Sequence, residues 1–573
     1  MSPGGPRRAA ALAAAGALAA ASLFLVHDHT RGDSFSADEP VHILAGYYQV
    51  YARTAIVNIE HPPLMKELAG LGLAAIGLPP PPARVPMGTR FTDWGHAFLF
   101  GGPVSPDAVA AAARAPFLAV LAGLLAVIFF AARARWGPAA AVFAVALVAL
   151  DPNFVAHAGV VHTDLGASLA ILGSVLAWDA AMRRRTPLAT AGAGIVLGLA
   201  FATKFTAVYL APILLLQVLL AARTAPEPGR EIVRLGSRLA AAGGVGLLVL
   251  FSVYAVVTSR MDSADQRRVI HEMVADRGAP GLSRAIERVA AFSPPVGHYL
   301  GGLASVARQN AVGGGVNYLF GRASVEGFPA YFFVAFLLKS SLAFLVATAI
   351  VIAGLWRDAR ARREAALLLL PPAALFLASL GAAYNIGIRH MLPVYPFLAL
   401  AAAGVLGRAR DAGSRAAAAA MIVLPLLAGA ELLRIHPHEL SYFNPLAGGP
   451  EGGRRVLSDS NVDWGLDLKR LADELARRRV SQPTVVYFGG DDVPFRVGVP
   501  EFAADPVVRS RIVAMSAFAE AIGPEFYAYH GAPAVSGALE RLRREIAARG
   551  RPVGRVGYSI HLYELPPKGT TTP

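Results

Sequence analysis

Long apolar runs separated by short arginine-rich connections are the feature that most constrains this chain. A helix that crosses the ~30 Å hydrocarbon core of a bilayer needs roughly 20 apolar residues. The 573 residues are 55% hydrophobic and only 16% charged, and their mean hydropathy is +0.48. Soluble globular domains carry far more charge. The sequence therefore predicts a polytopic α-helical membrane protein.

The spacing of the apolar runs predicts about eleven transmembrane helices. The predicted spans are residues 9–26, 111–132, 137–156, 164–182, 187–203, 205–222, 237–257, 328–355, 366–383, 390–407 and 415–433. The first run follows Arg7 and Arg8 and resembles a signal peptide as well as a membrane helix. The many later spans favour an uncleaved helix.

Arginine clusters occur in every second connection. They lie at Arg7 and Arg8, Arg133 and Arg135, Arg183–Arg185, Arg223–Arg238, Arg357–Arg363 and Arg408–Arg415. The positive-inside rule assigns these connections and the N-terminus to the cytoplasm. The long connections 27–110 and 258–327, and the tail from residue 434, are then extracytoplasmic. All 14 histidines fall in outer connections, outer helix ends or the tail, so we expect imidazole chemistry only on the outer face of the inner (plasma) membrane.

Charge and cysteine content exclude several classes of protein. The net charge is +14, but the arginines are scattered between apolar runs instead of forming one basic face. We therefore expect no nucleic-acid partner. The chain has no cysteine, which excludes disulfides, thiolate metal ligands and cysteine nucleophiles.

The tail differs in pattern from the rest of the chain. Leu466, Leu468, Leu471 and Leu475 have the spacing of an amphipathic helix, and "PTVVYFGG" and "GYSIHLYEL" are typical of strands. We therefore predict a transmembrane domain at 1–433 and a small extracytoplasmic α/β domain at 434–573.

The first outer loop contains an unusual density of charge in "ADEPVHILAGYYQVYARTAIVNIEHPPLMKELAG". Asp38 and Glu39 follow the first span at the outer boundary, where a carboxylate acts as a general base or holds a cation. The alternative is that they are solvated acids, one of which caps a helix that starts at Pro40.

The second half of that stretch, "HPPLMKELAGLGL", predicts a helix lying along the membrane interface, because Leu64, Leu68 and Leu71 form one apolar stripe. Lys66 then points to the polar side. There it meets a phosphate or simply snorkels to the interface.

Further charged groups lie at span boundaries. Asp164 follows His162 in "DPNFVAHAGVVHTDLGAS", where an acid is costly without a role, although it also suits a helix N-terminus. Lys204 interrupts a long apolar stretch, and Arg389 with His390 begins the tenth span. A lipid phosphate is the expected partner of these cations, and snorkelling is the alternative.

Two further polar groups have no predicted catalytic role. Lys339 lies within an apolar run without an assigned role. Asn461 and the three acids of "SDSNVDWGLDL" in the tail are interpreted as helix caps rather than as a cation or sugar site.

Several of these segments resemble one family. "DEPVH" and "HPPLMK" are similar to the first luminal loop of protein O-mannosyltransferases, and "ATKFTA", "YNIGIRHMLPVYPFLAL" and "HPHELSYFNPLAGGPEGGRRVLSDSNVDWGLDLKRL" resemble elements of a bacterial branch. More broadly, the chain resembles lipid-carrier-dependent glycosyltransferases of the GT-C type, including aminoarabinose transferases. The resemblance implies transfer of a sugar, with inversion, from a polyprenyl phosphate to an acceptor hydroxyl on the outer face. It implies that Asp38 is the base and that Asp164 occupies a second acidic position.

The expected site residues fall into two groups. The predicted catalytic residues are Asp38, Glu39 and Asp164, and the predicted substrate-binding residues are His61, Lys66, His162, Lys204, Arg389 and His390. A divalent cation is compatible with the acids, and the metal, the sugar and the glycan, lipid or protein acceptor are left open. The alternatives are a transporter or flippase of an anionic or lipid-linked substrate, and a receptor whose outer tail binds a partner.

Overall fold

The computed structural model describes residues 5–81, 90–357, 359–504 and 511–566, and most of them are helical. The helices up to residue 435 are α1 (Gly5–Gly32), α2 (Glu39–Tyr47), α3 (Leu64–Leu73), α4 (Phe91–Phe100), α5 (Pro106–Ala149), α6 (Pro152–Ala158), α7 (Asp164–Arg184), α8 (Pro187–Phe201), α9 (Leu210–Arg223), α10 (Pro228–Val257), α11 (Ser263–Ile270), α12 (Pro280–Phe292), α13 (Pro294–Val312), α14 (Tyr331–Lys339), α15 (Leu342–Arg357), α16 (Ala359–Ser379), α17 (Val394–Asp411) and α18 (Arg415–Ile435). A short antiparallel hairpin, β1 (Asn317–Leu319) and β2 (Arg322–Ser324), lies in the second long connection.

Each predicted apolar segment contains a helix, but not every helix is long enough to cross a bilayer alone. Among the described residues, 6 helices are sufficiently long and apolar, or 7 if the bent pair α14 and α15 forms one span. Helix α8 and the apolar part of α16 are shorter. A multi-pass helical membrane protein is therefore confirmed, and the larger number of crossings stays a prediction.

Two predicted spans differ from the helices observed. Residues 137–156 do not form one helix, because α5 ends at Ala149 and the buried carboxylate of Asp151 accepts from the backbone N–H of Asn153 to start α6. Residues 328–355 bend by 116° between α14 and α15. Helix α5 itself contains non-helical backbone at Gly137, where φ is 85°.

Helix α5 is the centre of the helical core. It packs against α1, α3, α7, α17 and α18. Its start is fixed by Ser105, whose hydroxyl accepts from the N–H of Ala108, and by Pro106 at the first helical position. The helix thereby begins directly at the end of the connection 27–110.

Helices α2 and α3 of the first outer loop pack into the protein instead of lying on its surface. A Cβ at Gly46 would lie 2.1 Å from the backbone oxygen of Lys66, and a Cβ at Gly70 would lie 2.2 Å from that of Gly46. The two glycines therefore permit direct backbone contact. Lys66 is 2% exposed, so the prediction that it points to a polar surface is wrong, although Leu71 on the same helix is exposed.

The tail folds into a sheet with helices on both faces. Its strands are β3 (Thr484–Val486), β4 (Ile512–Ser516), β5 (Arg551–Val556) and β6 (Ile560–Glu564), and its helices are α19 (Gly449–Gly453), α20 (Leu468–Arg477), α21 (Val493–Val497), α22 (Ala517–Tyr529) and α23 (Pro533–Arg549). The strand order is β3-β4-β6-β5, with β3 and β4 parallel and the other pairs antiparallel.

Alternating side chains of strand β3 explain the two helical layers. Val485 packs with Leu471 and Leu475 of the predicted amphipathic helix, whereas Val486 packs with Leu539 on the other face. Successive strand residues point to opposite faces of a sheet. The division of the chain at residue 434 remains a prediction.

Candidate active site

Six segments that are distant in sequence meet at one end of the helical core. They are the turn before α2 with the start of that helix, the turn before α3, the connection between α6 and α7 with the start of α7, the connection between α8 and α9, the connection between α16 and α17, and residues 459–467 of the tail. The side chains that meet there are Asp38, His42, His61, His162, Asp164, Lys204 and Arg389. We refer to these seven residues as the charged cluster.

Asp38 is the carboxylate of the cluster that solvent reaches. Its side chain is 37% exposed, and its Oδ2 lies 3.1 Å from Nη1 of Arg389 and 3.4 Å from Nε2 of His162. Burial alone would raise the pKa of Asp38, but the Arg389 guanidinium holds this pKa well below its usual range. Asp38 is therefore an ionised acceptor at neutral pH.

Asp164, by contrast, is enclosed by cations. Its side chain is 1% exposed and contacts Nζ of Lys204 and Nδ1 of His162, while Nη1 of Arg389 lies 3.8 Å away. Because both oxygens already face positive or N–H groups, Asp164 orders the cations around it rather than offering a free base.

Arg389 links the two acids. Its Nη1 donates to Nε2 of His162 at 2.5 Å as well as to Asp38. Its Nε is buried and, among the described residues, has no hydrogen-bond partner. A buried donor without an acceptor is costly, so the site has capacity to bind an additional anionic or polar group.

Glu39 does not belong to the cluster, although it follows Asp38 directly. It is 0% exposed. Its Oε1 accepts from Nε of Arg114 at 2.8 Å and from the N–H of Val161 at 3.0 Å, and its Oε2 accepts from Nη2 of Arg114 at 2.7 Å and from the N–H of Ser36 at 2.8 Å. With each oxygen accepting two hydrogen bonds, Glu39 has no lone pair left for a substrate. The prediction of a catalytic role is therefore corrected to a structural one.

Lys66 also has a structural position. Its ammonium donates to the backbone oxygens of Asn58 and His61, both at 2.6 Å. Burial lowers the pKa of Lys66 to about 7, against the smaller opposing effect of Glu60. Its hydrogen bonds tie the turn before the two prolines together, so the expected phosphate contact has no support from this geometry.

Three imidazoles form one side of the cluster. The ring centroids of His42 and His61 are 4.9 Å apart, those of His42 and His162 are 5.0 Å apart, and those of His61 and His162 are 5.7 Å apart. Burial, followed by the neighbouring positive groups, lowers the pKa of both His42 and His61, so both are neutral. Sequence reasoning did not select His42 as a site residue, although it lies four residues after Asp38, one turn along α2.

His390 stands beside the cluster and not within it. Its ring centroid is 6.0 Å from that of Phe332, so the structure packs this predicted ligand against an aromatic side chain of α14.

Trp464 is a site residue that sequence reasoning missed. It is 1% exposed, and its ring lies 4.3 Å from Cζ of Arg389 and 5.3 Å from the ring of His162. Its backbone oxygen accepts from the N–H of Ala37 at 3.0 Å. Trp464 thus contacts both the turn that presents Asp38 and the cation that faces it.

Asn461 holds the same tail segment against the Arg389 loop. Its Oδ1 accepts from the N–H of Ile388 at 3.0 Å, its Nδ2 donates to Oη of Tyr331 at 2.8 Å, and its backbone oxygen accepts from Nζ of Lys339 at 2.7 Å. The interpretation of this motif as helix caps was therefore wrong for Asn461. Residues 459–467 therefore contact the segments that carry Asp38 and Arg389, and Lys339 donates to the backbone of this tail segment.

Comparisons with known proteins agree with the class that the motifs suggested. Residues 107–256, from α5 to α10, match the family described as dolichyl-phosphate-mannose-protein mannosyltransferase. This segment contains Asp164 and Lys204, and the match confirms the resemblance to GT-C glycosyltransferases of this type. No curated protein matches the sequence.

The chain is also similar to two solved structures. ArnT from Cupriavidus metallidurans, bound to undecaprenyl phosphate, is 14% identical over 96% of this chain and 98% of its own, with a TM-score of 0.48. The oligosaccharyltransferase of Archaeoglobus fulgidus in the apo form is 15% identical over 74% of this chain and 56% of its own, with a TM-score of 0.45.

Proposed function

We propose that this protein is an inverting glycosyltransferase that moves a sugar from a polyprenyl phosphate to an acceptor hydroxyl. The observation that carries the proposal is the juxtaposition of an ionised, partly exposed carboxylate, Asp38, with a buried guanidinium, Arg389, that has a donor to spare. A single displacement at the anomeric carbon needs one base near the acceptor and cations near the leaving phosphate.

The proposed reaction is a single displacement at the anomeric carbon. The acceptor oxygen forms a bond to the anomeric carbon and loses its proton to Asp38, while the bond from that carbon to the phosphate oxygen breaks. The polyprenyl phosphate leaves with the bonding electrons, and Arg389 and Lys204 stabilise its charge. Because one displacement occurs, the configuration inverts.

Arg389 has two functions in this scheme. While it pairs with Asp38, it keeps the pKa of that carboxylate low, which makes Asp38 a weak base. When the donor phosphate occupies the Nη and Nε groups of Arg389, the guanidinium is shared and the basicity of Asp38 rises. Donor binding therefore prepares the base, and we expect the donor to bind before proton transfer.

The transmembrane topology forms part of the proposal. We place the charged cluster and the tail on the outer face of the plasma membrane, with the N-terminus and the arginine-rich connections in the cytoplasm. The chain contains no cysteine, so single cysteines report accessibility directly. An impermeant maleimide is expected to label Ser481→Cys in intact cells, and Thr224→Cys only after permeabilisation. Both positions are exposed.

The catalytic test compares Asp38→Asn with a matched control in membranes supplied with labelled polyprenyl-phosphate sugars. Asp93→Asn makes the same chemical change on α4 of the same outer loop, where the carboxylate is 52% exposed and, among the residues that the structure describes, pairs only with Arg90. We expect Asp38→Asn to bind donor but to lose transfer by at least 100-fold, and Asp93→Asn to behave as wild type. Transfer by Asp38→Asn at the wild-type rate would remove Asp38 from the base role, and donor crossing the bilayer unchanged would favour a flippase.

A further inference from the structure

We propose that His42, His61 and His162 form a binding site for one divalent transition-metal ion of the zinc type. One ring nitrogen of each histidine lies within 4.8 Å of the corresponding nitrogens of the other two. Ligand nitrogens of a tetrahedral zinc site, with Zn–N bonds of 2.0–2.1 Å, are about 3.3 Å apart. Side-chain rotations that close the ring nitrogens by at most about 1.5 Å complete such a site.

Among the described residues, the ring nitrogens of His42 and His61 are not engaged by other side chains. His29 is hydrogen-bonded to Asp33, and His561 to Glu520. Within the part of the chain that the structure describes, neither His42 nor His61 has a side-chain hydrogen bond. Their nitrogens are therefore open to a ligand, and a shared metal ion is one that both can bind together with His162.

His162 has the orientation of a metal ligand. Its Nδ1 contacts Oδ2 of Asp164, which leaves Nε2 for the ion. A carboxylate on the second ring nitrogen is the usual arrangement around metal-bound histidine, because it fixes the tautomer and increases ligand basicity. Oδ2 of Asp38 lies 3.4 Å from the same Nε2 and is the nearest candidate for a fourth ligand.

The donor set also selects the metal. Three imidazoles suit Zn²⁺, Co²⁺ or Ni²⁺, whereas Mg²⁺ and Ca²⁺ require oxygen ligands. Arg389 Nη1 donates to His162 Nε2, so the ion and the guanidinium compete for one lone pair. Metal binding would therefore release Arg389, and if the proposed transferase function holds, the released guanidinium is free for the donor phosphate.

The experiment uses the full-length protein in detergent, stripped with a chelator and titrated with Co²⁺, whose visible absorption reports tetrahedral nitrogen coordination. No sugar donor is present, so the result does not depend on the proposed transferase activity. We expect one Co²⁺ per chain for wild type, and binding at least 10-fold weaker for His42→Asn and for His61→Asn. His271→Asn is the control, since this imidazole is 59% exposed on the second long connection, and it should bind as wild type.

Two further measurements make the outcome decisive. Zn²⁺ should raise the Tm of wild type but not that of His42→Asn, which separates lost ligation from lost folding. Arg389→Met should bind Co²⁺ more tightly than wild type, because it removes the competitor for Nε2. No Co²⁺ binding by wild type, or unchanged binding by both histidine variants, would overturn the proposal, and unchanged affinity in Arg389→Met would overturn His162 as the third ligand.

Discussion

The adjacent acids Asp38 and Glu39 are expected to differ in what their substitution changes, activity for Asp38 and stability for Glu39. Glu39 accepts four hydrogen bonds, two of them from Arg114, and is 0% exposed. Glu39→Gln keeps the shape but removes the charge, and it places an NH₂ group against N–H donors. Removing one partner of a buried ion pair costs about 3–5 kcal/mol, because the other charge stays buried without compensation. We therefore expect Glu39→Gln to lose stability, whereas Asp38→Asn, at a partly exposed site, loses activity.

A double-mutant cycle tests the physical cause. Arg114→Gln should destabilise the protein by a similar amount, because it leaves the Glu39 carboxylate unpaired and also removes the donor to the backbone oxygen of Ser34. The double variant should be less destabilised than the sum of the two single variants, with a coupling energy of about 2–3 kcal/mol. The assay is reversible chemical unfolding in detergent, combined with transfer activity per folded molecule.

Two results would contradict this assignment. One is additivity of the Glu39 and Arg114 variants, which would mean that the pair contributes no interaction energy. The other is a Glu39→Gln protein of normal stability without transfer activity, which would return Glu39 to the catalytic machinery.

Three further predictions follow from neighbouring contacts. Trp464→Leu removes the ring beside Arg389. Loss of a desolvated cation–π contact of ~2 kcal/mol corresponds to a decrease of roughly 30-fold in kcat/KM, and Trp464→Phe should lie between Trp464→Leu and wild type. Equal activity of all three proteins would refute this role of the ring. Lys339→Met leaves the backbone oxygens of Leu440 and Asn461 without their donor. The free energy of unfolding should therefore fall by about 1–3 kcal/mol for each of these oxygens. Unfolding at the same denaturant concentration as wild type would exclude this role of Lys339. Burial raises the pKa of Asp463 to about 7, against the opposing hydrogen bonds from Phe518 and Gly465. The folded protein therefore favours the protonated carboxyl, whose contribution to the free energy of unfolding is fully present below the ordinary pKa of aspartate. This contribution declines towards pH 7, by up to about 1.4 kcal/mol per pH unit. The stability of Asp463→Asn relative to wild type should accordingly rise between pH 4 and 7, and a flat difference would rule out this titration.

The tail is part of the site and is not a separable binding module. Asn461 and Trp464 contact the loops that carry Arg389 and Asp38. Deletion of residues 445–573 would remove both residues, so it does not distinguish an enzyme from a protein whose outer tail binds a partner. The single substitutions described above make that distinction, because they alter the site and leave the sheet intact.

Much of the fold was predictable because bilayer insertion is a local property of the sequence. Hydropathy averaged over a span decides whether a helix enters the membrane, and every predicted apolar segment does contain a helix. The breaks within 328–355 and after Ala149 were not predictable in this way, because averaged hydropathy does not register a bend or a capped end. The amphipathic helix of the tail was found from the spacing of its leucines.

Site residues were predictable where a charged side chain lies at a span boundary, because a charge there is energetically costly without a partner or a role. Asp164, Lys204 and Arg389 are charges at span boundaries, and in the structure Asp164 contacts both Lys204 and Arg389, while Arg389 also contacts Asp38. The residue type and position of Lys66 did not indicate that backbone oxygens would accept the hydrogen bonds of its ammonium group.

The sequence by itself determined that this chain is a helical membrane protein and which charges its segments carry to the span boundaries. Only the tertiary structure decided which charge meets which. Asp38 and Glu39 are neighbours with the same chemistry, and they differ because one faces Arg389 at an open position while the other is enclosed by Arg114 and two backbone N–H groups. Burial and partner geometry arise from contacts between residues far apart in the chain, so no local pattern encodes them.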